Sequence, residues 1–371
     1  MVFRNAVVMF LSRGLSLLLT WLFLSGSPTG AGFPRESTPP PDATVTFAVI
    51  GDYGAASPAE AKVAALVASW RPAFILTTGD NYYRGAGDPA HPYDGSTGRY
   101  FCAFLHGVQP GPWCRSDAMS RDGNRFFPAL GNHDYSDAGL NRYLAYFTLP
   151  GNGLSSTSGN ERYYDFVWGP VHVFVLNSNA VEPDGIRPDS RQARWLRTGL
   201  AASTTPWQVV ILHHPPYSSG PHGSTPDLQW PFAAWGADVV IAGHDHTYER
   251  IARDGIVYIV NGLGGGARYG LRRPVTGSVF RYNADWGALR VTATATTLDL
   301  AFYRVGDDRR PVDRYRIRAV AWVPSPASAE GGVAQDAILR YVFRPSYSNG
   351  NWTTAPVAAE RYAARATSIA L

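Results

Sequence analysis

Lysine is almost missing from this chain. Lys62 is the only one among 33 basic residues, so arginine carries nearly all the positive charge. The formal net charge is only +4, and no block of like charge stands out. That argues against a nucleic-acid surface, where basic residues gather on one face. Cysteine is scarce too: Cys102 and Cys114 are the only pair. Two thiolates fall short of a four-ligand structural metal site. No repeat of solenoid period occurs. The one notable apolar run, Leu15–Leu24, is short for a membrane span of about 20 residues.

What is present is glycine and proline, 38 and 28 of them in 371 residues, so loops must be numerous and shaped by special backbone geometry. Arg4 and Arg13 precede the apolar run, and small, turn-forming residues follow it from Ser25 to Gly32. That order predicts a secretory leader over 1–31, cleaved near Ala31, with an uncleaved anchor as the alternative. Export would permit Cys102 and Cys114 to pair across a short loop; two unpaired buried thiols are the alternative. A proline-rich lead-in follows over 32–43.

Beyond it, apolar strands alternate with amphipathic helices. Strands are expected at Val45–Ile50, Phe74–Thr77, Phe126–Leu130, Val171–Leu176, Val209–Leu212 and Asp238–Ala242. Helices are expected from Ser57, which opens a capping box with Pro58 and Glu60, to about Trp70, and over about Asp137–Phe147 and Ser190–Ala202. Such alternation predicts an α/β sheet covered on its faces. From Val257 to Phe302 the pattern turns mainly β, and 311–371 reads as an irregular or β-rich extension of unknown role.

Five short motifs sit where predicted strands end: Gly51-Asp52-Tyr53-Gly54, Gly79-Asp80-Asn81-Tyr82-Tyr83, Gly131-Asn132-His133-Asp134, His213-His214-Pro215 and Gly243-His244-Asp245-His246. Parallel strands end at one edge of a sheet, so their loops converge there. Alone, the Gly-Asp motifs and Asn132 read blandly, as turn residues or helix caps, while Gly-His-x-His says more because alternate residues can reach one site. Together they offer carboxylates, a phenol, an amide oxygen and imidazoles, a mixture for hard or borderline metals. Seven donors exceed the needs of one ion and suit two ions sharing a carboxylate, the arrangement that clamps a phosphoryl displacement.

These motifs resemble the metallophosphoesterase superfamily, and specifically the purple acid phosphatases. Most of the superfamily has Asp-x-His in the first motif, whereas Gly54 stands here in place of that histidine. In purple acid phosphatases a tyrosine three residues after the second Asp replaces it, and Tyr83 occupies that position. The resemblance implies a layered αββα sandwich over 44–310. It implies Fe³⁺ held by Asp52, Tyr83 and His246, and a divalent ion (Fe²⁺, Zn²⁺ or Mn²⁺) held by Asn132, His213 and His244. Asp80 would bridge them. His133, oriented by Asp134, and His222, nine residues after His213, would contact phosphate or protonate the leaving alkoxide. The implied activity is that of an exported acid phosphatase, secreted or periplasmic, hydrolysing small phosphate monoesters with metal-activated water. A secreted phosphodiesterase of the same fold is the alternative, and a non-catalytic binding protein a more distant one. Neither a nucleic-acid partner nor a membrane span after leader cleavage is expected. Two departures from the resemblance are expected: the stretch read before Val45 is too short for the N-terminal β-domain of the plant enzymes, and the stretch after about Arg310 matches nothing familiar.

Other residues read blandly. His172 lies within a strand as a packing residue, His91 and His106 lack ligand spacing, and Gly264-Gly265-Gly266, with no helix after it, reads as a tight loop near the site and not a nucleotide-binding loop.

Overall fold

The computed structural model describes residues 39–151, 153–319, 343–348 and 351–356. The expected leader, residues 32–38 of the lead-in and most of 311–371 lie outside the described residues. Thirteen strands build the main body: β1 (Val45–Ile50), β2 (Ile75–Thr77), β3 (Phe126–Pro128), β4 (Tyr164–Trp168), β5 (Val171–Val175), β6 (Trp207–Ile211), β7 (Val239–Ala242), β8 (Tyr248–Arg253), β9 (Ile256–Asn261), β10 (Ser278–Tyr282), β11 (Gly287–Ala293), β12 (Thr297–Arg304) and β13 (Asp313–Arg318). They form a six-stranded sheet, β13-β12-β11-β1-β2-β3, and a seven-stranded sheet, β10-β8-β9-β7-β6-β5-β4. Both are mixed. In the first, β1, β2 and β3 run parallel; in the second, β5, β6, β7 and β9 do. A separate antiparallel hairpin pairs β14 (Phe343–Ser348) with β15 (Asn351–Pro356).

Strand residues alternate between two cores, as a period of two demands. Val209 and Ile211 of β6, with Val239 and Ile241 of β7, join the cluster between the sheets. Their neighbours Val210, Val240 and Ala242 join a second cluster with Leu196 and Leu200 of the helix Arg191–Ala202. On the opposite outer face, Leu66 of the helix Pro58–Ser69 packs on Ala301 and Tyr303, with Trp70 alongside. The layers are therefore helix, sheet, sheet, helix, the expected αββα sandwich. Aromatic contacts close the inner layer: Phe127 of the first sheet stacks on Phe166 of the second at 3.9 Å, and Tyr248 of the second on Phe302 of the first at 4.2 Å.

Several local expectations hold. Ser57 caps the first helix by accepting from Glu60 N at 3.2 Å, with Pro58 in the first turn. Cys102 and Cys114 are joined by a disulfide, with Cα atoms 5.2 Å apart. Elsewhere the structure differs. The helix expected over Asp137–Phe147 is split: a π-helical turn covers Asp134–Ala138, Gly139 breaks the chain at φ +87°, and an α-helix runs over Leu140–Tyr146. The first sheet also continues past residue 310. Buried Asp313 on β13 accepts from Tyr248 Oη at 2.9 Å and from Arg250 Nε at 2.7 Å, tying β13 to the second sheet. Among the described residues no helix is long and apolar enough to cross a membrane.

Candidate metal centre

β1, β2, β3, β6 and β7 all deliver their C-terminal ends to one edge of the sandwich, where the five motifs follow. Two devices bring their side chains inward. Asp52, Asp80 and His244 take left-handed backbone conformations, with φ +55°, +54° and +69°. Non-glycine residues held there cost about 1–3 kcal/mol each, a strain concentrated at functional sites. Close approach of loops supplies the other. A Cβ on Gly131 would lie 2.1 Å from Asp80 Oδ1, and one on Gly243 would lie 2.5 Å from Asp52 Oδ2, so only glycine fits at either position.

Two groups of donors result. Asp52, Asp80 and His246 bring three ligand atoms within 4.8 Å of one another, and His213, His214 and His244 do the same. Tyr83 joins the first group, its hydroxyl 3.1 Å from His246 Nε2. Asn132 joins the second, its Oδ1 2.9 Å from His213 Nε2. Asp80 touches both, because its Oδ1 also lies 3.5 Å from His213 Nε2. The imidazoles are oriented from behind: His213 Nδ1 lies 2.8 Å from Thr78 O, and His246 Nδ1 lies 2.5 Å from Ala267 O.

The electrostatics fit a cation. Burial drives the His213 pKa well below its usual value, and lowers His244 to about 2 and His246 to about 4, so these rings are neutral and ready to ligate. Burial, then the charge of Asp80, pushes Asp52 well above the carboxylate range. Burial also raises Asp80 to about 6. Crowded, buried carboxylates beside neutral imidazoles are a costly arrangement that bound cations would stabilise.

All nine sequence-predicted residues converge here. His133 N donates to Asp80 Oδ1 at 3.0 Å, and its ring packs 4.6 Å from that of Tyr83. The His222 ring lies 4.1 Å from that of His244. One assignment is corrected. Asp134 does not orient His133. It is fully buried and accepts from Gly131 N at 2.7 Å, Asp80 N at 3.1 Å and Asn81 Nδ2 at 2.9 Å, so it braces the loops. The partner of His133 is Asp137, one turn further on, with Oδ2 2.6 Å from Nδ1.

Three residues to which the sequence reading gave no role also contribute; it took His213 as the ligand over His214. His214 stands with the second group, its Nδ1 2.9 Å from Ser178 Oγ. Asp245 accepts from His222 N at 2.9 Å and fixes that loop. Tyr269 lays its ring on His246 at 4.0 Å, nearly parallel at 6°. The adjacency of His214 to His213 was a visible signal; Tyr269 had none. The triple glycine behaves as expected, with Gly264 N donating to Gly51 O and Gly266 N to Asp52 O at 2.9 and 2.8 Å.

Residues 45–248 match the model of the calcineurin-like phosphoesterase family, more than half of the chain. The chain belongs to that family. Purple acid phosphatase 22 of Arabidopsis thaliana is 31% identical over 232 residues, covering 58% of this chain and 47% of that protein. The chain thus spans about half the length of this relative. Among solved structures, purple acid phosphatase PPD1 from yellow lupin (Lupinus luteus) seeds superposes with TM-score 0.56 at 16% identity, covering 76% of this chain and 55% of that one. GAP50, described as the anchor in the inner membrane complex of Plasmodium, superposes with TM-score 0.52 at 16% identity, covering 74% and 89%. At such identities the superpositions speak for the fold alone.

Proposed function

We propose that this chain is an exported acid phosphatase that hydrolyses small phosphate monoesters at a binuclear Fe³⁺/divalent-metal centre. The observation that carries the reading is the position of Asp80, shared between a group of oxygen donors with His246 and a group of imidazoles with Asn132. Asp52, Tyr83 and His246 would hold the harder ion, Fe³⁺, since carboxylate and phenolate suit it. Asn132, His213 and His244 would hold a divalent ion, Fe²⁺, Zn²⁺ or Mn²⁺. When bound, the two ions supply Lewis acidity to the phosphoryl oxygens and lower the pKa of water at the site.

The chain's own residues do the remainder. His133, with Nδ1 engaged by Asp137, keeps Nε2 available to hand a proton to the leaving alkoxide oxygen. His222, its main chain fastened by Asp245, sits against His244 on the substrate side. Asp134 and the left-handed residues hold this geometry before substrate arrives, so little reorganisation accompanies reaction. The Cys102–Cys114 disulfide supports export, because such bonds persist in oxidising compartments.

The test compares wild type with Asp80→Asn. Purified wild type should carry two metals per chain and turn over 4-nitrophenyl phosphate faster than bis(4-nitrophenyl) phosphate; Asp80→Asn should lose metal and activity together. A diester preference would move the assignment to phosphodiesterase. Two bound metals with no turnover of either ester would leave a binding protein.

A further inference from the structure

Beside the metal centre runs a segment whose charge the proposed chemistry does not use. From Gly255 to Ala284 there is no acidic residue, yet Arg268, Arg272, Arg273 and Arg281 fall within it. Two of these arginines are structural. Arg268 lies over Trp286 at 4.7 Å and donates to Asn283 O at 3.0 Å. Arg281 donates from Nη1 to Arg272 O at 2.8 Å. Arg272 and Arg273 are exposed, and among the described residues neither guanidinium has a carboxylate partner.

Their backbone is held in place at both sides of the site. Tyr269 donates its N–H to His246 O at 3.0 Å and stacks its ring on that histidine. Arg272 N donates to Ser219 O at 2.8 Å, and Val275 N to Ser219 Oγ at 2.9 Å. Ser219 belongs to the loop leading to His222 and is itself fixed by Glu249, which accepts from its N at 2.7 Å and its Oγ at 2.6 Å. The segment therefore spans from the His246 side of the centre to the His222 side. Arg272 follows Tyr269 by three residues, so their Cα atoms are at most ~10 Å apart.

We propose that Arg272 and Arg273 form an anion-recognition rim that selects phosphate esters carrying a second anionic group, a second phosphate or a carboxylate, a short linker away from the scissile phosphoryl. This rests on the phosphoesterase reading of the same site. Unpaired guanidinium forks match phosphate and carboxylate oxygens two at a time. Their backbone is already fixed by Ser219 and His246, so less ordering accompanies binding than a free loop would require. A neutral substituent on the leaving group finds no such partner there.

The experiment compares two non-hydrolysable ligands, propylphosphonate and propane-1,3-bisphosphonate, binding to the metal-loaded full chain by calorimetry. Wild type should prefer the bisphosphonate by about 10-fold, as two charge-assisted contacts at an exposed edge allow. In Arg272→Gln/Arg273→Gln the preference should fall to about 2-fold or less. It should also shrink in wild type at 1 M salt, where the screening length drops to about 3 Å. Equal affinity for the two ligands in wild type, or an undiminished preference in the double variant, would overturn the rim. Failure of wild type to hydrolyse propyl phosphate would count against the phosphatase reading alone, and the binding comparison would still decide this one.

Discussion

His133 Nδ1 lies 2.6 Å from Asp137 Oδ2 across a single π-helical turn. The same carboxylate accepts from Arg84 N at 2.8 Å, the residue directly after Tyr83. Burial would raise the Asp137 pKa, but the hydrogen bonds from Arg84, His133 and Ser136 leave it below the usual carboxylate value. An ionised Asp137 thus fixes the His133 ring and ties the second motif to the third.

That relationship makes Asp137 a positioning residue, with a testable signature. His133→Ala should keep both metals and lose about 10²–10⁴-fold in rate, the usual range for general acid catalysis. Asp137→Asn should lose about 10–100-fold, as removal of an orienting partner does. Because Asp137 acts through His133, the double variant should be no slower than His133→Ala. Losses that multiply in the double variant would show that Asp137 acts independently.

A second prediction concerns stability at the sheet edge. His172, expected as a packing residue within its strand, has Nε2 3.0 Å from Asp165 Oδ2 and Nδ1 3.0 Å from Ser203 Oγ. Asp165 also accepts from Thr157 N at 2.6 Å. Burial opposes its ionisation, but the bonds from His172 and Thr157 prevail and its pKa lies below the ordinary value. A carboxylate depressed in the folded state stabilises fully above its unfolded pKa of about 3.9 and loses that contribution as pH falls through the folded value. Asp165→Asn should therefore lower stability at pH 7 by about 1–3 kcal/mol. Its difference from wild type should narrow below about pH 4. Thermal melts of both proteins from pH 7 to pH 3 check this; a gap that widens in acid would refute it.

The ligand motifs were legible because each sets donors at the end of an apolar strand, with a glycine before the donor in four of the five, a pattern carried in local sequence. The cap at Ser57 was legible for the same reason. What failed was whatever depends on a local departure from regular backbone or on contacts between distant segments. Asp134 adjoins His133 in sequence, but the π-helical turn carries Asp137 to the ring and sends Asp134 into the core. β13 read as part of an extension because Asp313 finds Tyr248 and Arg250 only when the two sheets meet. Tyr269 follows a glycine loop with no donor motif, and its place on His246 is fixed by the fold of that loop.

The last prediction bears on the identity of the metal. Gly54 stands where most of the superfamily has histidine, and Tyr83 lies 3.1 Å from His246 Nε2, within the group that holds Asp52 and Asp80. A phenolate bound to Fe³⁺ donates charge into the metal on absorbing visible light, which imidazole and carboxylate do not. Purified wild type should therefore be coloured. Tyr83→Phe removes only the phenolic oxygen and should bleach the protein, while part of the activity remains because Asp52, Asp80 and His246 still offer donors. Tyr269 provides the control, since it is a second phenol whose ring rests on the same histidine at 4.0 Å. Tyr269→Phe keeps the stacked ring and should keep the colour. Colour that survives Tyr83→Phe and disappears in Tyr269→Phe would transfer the phenolate role to Tyr269. A colourless, fully active wild type with two divalent ions would remove ferric iron and leave the phosphoesterase reading standing on the shared position of Asp80.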